Sequence, residues 1–91
     1  MKILGHEIGL DDVGTMDDIG AFGKYHPRPM KIQIAADVAP SQRESTVIHE
    51  VLEVINQLMV LDLPHDVLSR LEAGLYSVIS DNGIDISPLF K

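Results

Sequence analysis

Ninety-one residues and 10.0 kDa suit one small domain whose single core buries roughly two-thirds of the unfolded surface. Apolar residues make up 45% and charged residues 23%, so the composition is globular rather than disordered. Seven Lys plus Arg against fourteen Asp plus Glu leave a net charge of −7, which argues against nucleic-acid or anionic-membrane partners, because those are held by clustered cations. The absence of cysteine removes disulfides and cysteine-ligated zinc. No apolar run approaches the ~18 residues of a membrane span. Met1-Lys2-Ile3-Leu4-Gly5-His6-Glu7 meets a charge and a glycine too early for a secretory signal. A cytoplasmic location is expected.

In chain order, residues 1–37 read as strands and turns. Leu4, His6, Ile8 and Leu10 alternate with Ile3, Gly5, Glu7 and Gly9 in a weak two-residue period. Asp11 to Gly20, with four aspartates and two glycines, suggests a loop. Met30 to Ala36 alternates apolar and polar residues cleanly and is the best strand. Tyr25-His26-Pro27-Arg28-Pro29 supplies a turn before it, since neither proline donates to a ladder, and a hairpin over about 21–36 follows. Ser41-Gln42-Arg43-Glu44 fits a capping box with Pro40 just outside. One helix is expected over 41–60. Asp62-Leu63-Pro64 breaks it, a second helix runs over 64–80, and Asp81-Asn82-Gly83 stops it. The fold class is α+β: a small antiparallel sheet of two or three strands packed on an antiparallel two-helix hairpin. Ile55 and Leu71 are expected between the helices.

At about 100° per residue, Val47, Ile48, Val51, Leu52, Val54, Ile55, Leu58 and Met59 form a broad apolar arc on the first helix. His49 and Glu53 stand one turn apart at its edge. On the second helix Val67, Leu68, Leu71, Leu75, Val78 and Ile79 form the arc, with His65, Glu72 and Tyr76 along its edge. Two readings of these rims stand side by side. In one, His49 and Glu53 are a paired i, i+4 contact at the core margin and Glu72 and His65 are ordinary helix residues. In the other they hold a divalent cation, with Glu50 beside it holding a water for deprotonation. With the helices antiparallel, Glu72 is level with His49 and Glu53 and is the expected third ligand. His65 falls roughly 9 Å further along the axis, and is expected as an outer partner or alternative ligand. His6 and His26 are not expected in the site.

Thr46-Val47-Ile48-His49-Glu50-Val51-Leu52-Glu53-Val54-Ile55-Asn56 resembles the metal-binding helix of small phage and prophage zincin-like proteins, which are similar to minimal metallopeptidases of the ImmA/IrrE and SprT-like kind. Their helix reads His-Glu-x-x-His. His65, Leu71 to Tyr76 and Ser80-Asp81-Asn82 extend the resemblance, which covers roughly residues 30–82. It implies Glu50 as general base, a glutamate about 19 residues after the motif (Glu53 to Glu72 here) as a ligand, and an edge strand, Met30 to Ala36, that aligns a peptide or protein substrate. This sequence departs from the pattern at Glu53, where the family has histidine. One imidazole with two carboxylates is a harder, more anionic set, so manganese or iron competes with zinc and the bound water is less acidic. The implied activity is metal-dependent peptidase. The alternative is a non-catalytic zincin-like interaction or assembly module.

Overall fold

The computed structural model describes residues 1–13 and 22–90. β1 (Lys2–Ile3) and β2 (His6–Glu7) pair antiparallel. Leu4 and Gly5 connect them at φ 50° and 80°, the left-handed pair whose twist suits a two-residue hairpin turn. β3 (Gly9–Val13), β4 (Gly23–His26) and β5 (Lys31–Ala35) form a second sheet in the order β3-β5-β4. β4 and β5 are the antiparallel hairpin expected, with Tyr25 opposite Ile32.

Three expectations are corrected here. β3 pairs parallel to β5, so the sheet is mixed rather than antiparallel. β5 is therefore the central strand, and β4 is an edge strand among the described residues. Asp11 and Asp12 belong to β3 instead of the expected loop; the rest of that loop, 14–20, lies outside the described residues. Aspartate is disfavoured in strands, but both have cationic partners. Asp11 Oδ2 is 3.7 Å from Lys31 Nζ, and both Asp12 oxygens accept from the Arg43 guanidinium, which stacks on Phe90.

The helices are α1 (Pro40–Leu58) and α2 (His65–Asp81), followed by a 3-10 turn, Ser87–Phe90. α1 begins at Pro40, with Ala39 as its uncapped N-terminal neighbour. The capping box therefore does not form, because proline occupies the first helical position it is pre-shaped for and Ser41 falls inside the first turn. Asn56 ties down the connection: its side chain donates to the Leu63 carbonyl and accepts from the Leu63 N–H. α2 ends as the sequence predicts. Gly83 (φ 62°) donates to Ser80, and Ile84 to Ile79, a Schellman closure in which glycine takes the left-handed position.

Ile3, Ile8, Ile32, Ile34, Val47 and Val54 form the core between the sheet and one face of α1. Gly23 lets β4 approach that helix. A Cβ there would lie 2.5 Å from Thr46 Cγ2, closer than any real contact. α2 packs chiefly on α1, and within it only Leu68 is buried. Ile55 is half-buried, but Leu71 is 43% exposed, and Leu75 and Val78 are exposed as well. The expected burial of Leu71 is thus corrected: with α1 between α2 and the sheet, only part of the apolar arc of α2 is covered.

Candidate metal centre

Ser45, His49 and Glu53 are spaced at i, i+4 along α1 and form one stripe. α2 brings Glu72 and His65 against it. His49 Nδ1 is 2.8 Å from Glu72 Oε1, and His49 Nε2 is 3.4 Å from Glu53 Oε1. His65 Nδ1 is also 3.4 Å from Glu53 Oε1. The two imidazoles meet edge to face, with ring centroids 4.9 Å apart. The second Glu72 oxygen accepts a hydrogen bond from Ser45 Oγ.

His49, Glu53 and His65 each offer a ligand atom, all within 4.8 Å of one another, and this group can hold a metal ion. Its donor chemistry fits one. Two atoms each ~2.1 Å from a tetrahedral ion stand about 3.4 Å apart, the separation found for both histidine–Glu53 pairs. As plain hydrogen bonds, contacts of that length are weak. The Glu72 carboxylate lies at the other nitrogen of His49. His49 faces a carboxylate at each nitrogen. The nearer one, Glu72 at 2.8 Å from Nδ1 against Glu53 at 3.4 Å from Nε2, favours the proton at Nδ1 and leaves Nε2 as the coordinating nitrogen, the carboxylate–histidine arrangement that orients ligand imidazoles.

The expected set of His49, Glu53 and Glu72 therefore differs from the group the structure assembles. Glu72 is level with His49, as the helix register required, but both its oxygens are engaged by His49 and Ser45. His65 lies far along the axis by backbone level, yet its ring and the long Glu53 side chain close the gap. The group is two imidazoles and one carboxylate, the composition of catalytic zinc sites that keep an open position. It is softer and less anionic than the expected set of one imidazole and two carboxylates.

Glu50 is 6% exposed and lines the same cleft. Burial raises its pKa above the usual 4.5, opposed by His49, reinforced by Glu53, and opposed again by a hydrogen bond from the Tyr25 backbone and by His65. The cleft, about 650 Å³, is bounded by Phe22 to Tyr25 of the β4 edge and by Thr46, Glu50, Ser69 and the histidine–glutamate group. His26 instead bonds Gln33 on the sheet, and His6 is exposed on β2. The Ser45 contact and the Tyr25 backbone contact are not among the sequence expectations. Ser45 was findable, one turn before His49 on the same stripe. The Tyr25 contact depends on β4 being the edge, which no local pattern announces. Comparison with known protein families, curated proteins and solved structures finds no match to the chain. Among the described residues no helix is long and apolar enough to cross a membrane.

Proposed function

We propose that the chain is a small zincin-like metalloprotein of phage or prophage type, a metal-dependent peptidase acting on extended protein segments. His49, Glu53 and His65 hold the divalent cation, zinc by donor composition, and Glu50 is the general base. The observation that carries this reading is the pair of 3.4 Å separations from Glu53 Oε1 to the two imidazoles, beside a buried carboxylate in one cleft.

A cation in such a site supplies Lewis acidity and an acidified water. The protein's own part lies with Glu50, Tyr25 and β4. Desolvation makes the Glu50 carboxylate a stronger proton acceptor than a solvated glutamate. The Tyr25 backbone contact holds that carboxylate at the cleft wall. Ala35 N–H donates to the Phe22 carbonyl, so the alternation of an antiparallel pair turns the N–H and C=O of Gly23 and Tyr25 away from β5. No described strand pairs with that side of β4. The Tyr25 N–H is taken by Glu50, while the Gly23 groups and the Tyr25 carbonyl suit strand addition by an extended peptide.

The test is metal analysis of tag-free protein, followed by hydrolysis of an unstructured protein substrate. One equivalent of zinc, with hydrolysis lost in Glu50→Gln while zinc is kept, supports the peptidase. Metal bound without hydrolysis by the wild type supports the non-catalytic interaction module instead. Protein that takes up no divalent cation refutes both.

A further inference from the structure

Glu72 has a partner whose role the cation site alone does not explain. Ser45 Oγ donates to Glu72 Oε2, and Glu72 Oε1 is the oxygen 2.8 Å from His49 Nδ1. Ser45 and His49 are successive members of one α1 stripe, whereas Glu72 reaches them from α2. A glutamate side chain has three free torsions, so an unrestrained carboxylate would sample rotamers that leave Nδ1. With one oxygen held by Ser45 and the other at His49, it is fixed at both ends. Ser45 and Glu72 are both half-buried, where a charged acceptor gains more from a fixed donor than it would in water.

We infer that Ser45 is a positioning residue that, through Glu72, fixes His49 in the tautomer protonated at Nδ1 and so raises the cation affinity of the group. It touches neither ion nor substrate. This rests on the metal-site reading above only for its effect on affinity; the tautomer effect belongs to the metal-free protein. Glu72 thereby has a definite role. Bridging between Ser45 and His49, it acts on the imidazole and leaves ligation to His65.

The test has two arms on wild type, Ser45→Ala and Ser45→Thr. In the first, heteronuclear NMR of the imidazole nitrogens of metal-free protein reads the His49 tautomer. Wild type and Ser45→Thr should be protonated at Nδ1, and Ser45→Ala should give a mixture of tautomers. In the second, cobalt(II) titration followed by visible absorption should show affinity about 10- to 100-fold weaker in Ser45→Ala, restored in Ser45→Thr, with a tetrahedral spectrum throughout. An unchanged tautomer in Ser45→Ala overturns the inference, whether or not cobalt binds. A wild type that binds no cobalt overturns the metal reading, while the tautomer comparison still decides the role of Ser45. Weaker cobalt binding in Ser45→Thr and Ser45→Ala alike would also overturn it, since any disturbance of the stripe would then suffice.

Discussion

The two flanks of α1 are built differently. Toward the sheet, Val47 and Val54 meet Ile32 and Ile34, all fully buried. Toward α2, Ser45, His49 and Glu53 meet Glu72 and His65, a polar seam beside the buried Leu68. The dry flank is where burial supplies stability; the wet flank brings together ionisable groups that could hold a cation and buries less apolar surface. α2 is the consequence. It covers the site but leaves Leu71, Leu75 and Val78 in solvent.

Substitutions on the two flanks should separate stability from metal binding. Ile34→Ala should cost about 2–5 kcal/mol in denaturant unfolding, whereas His49→Ala in the metal-free protein should cost less, about 1–2 kcal/mol, from the Glu72 and Glu53 contacts it removes. Equal losses would mean that the polar seam also carries the fold. Zinc at ~100 times its dissociation constant should stabilise the wild type by about 2.7 kcal/mol and leave His65→Ala unmoved; a thermal melt with and without zinc reads this.

A finer contrast concerns polar groups buried on the sheet side. Among the described residues the Tyr25 hydroxyl is buried with no hydrogen-bond partner, so Tyr25→Phe should stabilise the protein by about 1 kcal/mol. A loss instead would show that the hydroxyl has a partner. Glu50 has its pKa raised in the fold by burial, so the folded state binds its proton more tightly than the unfolded state does. The stability held in that protonated carboxyl is fully present below pH 4.5 and is lost as pH rises through the folded-state value. Metal-free Glu50→Gln should therefore melt above the wild type at pH 7, with the gap closing below about pH 4.5; a pH-independent gap would rule out titration as its cause. The smallest effect belongs to the outer face of α2: Leu71→Ser should shift stability by about 0.5 kcal/mol or less in the monomer.

Local patterns announce most of the helical half. The apolar period of α1, the break at Asp62-Leu63-Pro64 and the Gly83 stop are each set by a few neighbouring residues. The start of α1 is ambiguous in sequence because Pro40 and Ser41 both carry start signals, and proline takes the first position. The sheet is less accessible. Parallel pairing of β3 with β5 joins residues about twenty apart and leaves no mark in either segment, so nothing local distinguishes β5 at the centre from β5 at the edge. Within the site, the turn spacing identifies His49 and Glu53 and places Glu72 level with them. Side-chain reach decides the rest: His65 enters through its ring and the Glu53 carboxylate, which a register of backbone levels does not count.

The central claim is that His49, Glu53 and His65 bind the cation while Glu72 only orients His49. Calorimetric zinc titration of His65→Ala beside Glu72→Ala tests it most directly. Zinc binding should vanish in His65→Ala and weaken by about 10- to 100-fold in Glu72→Ala. Binding that survives in His65→Ala and vanishes in Glu72→Ala would contradict it and make Glu72 the ligand.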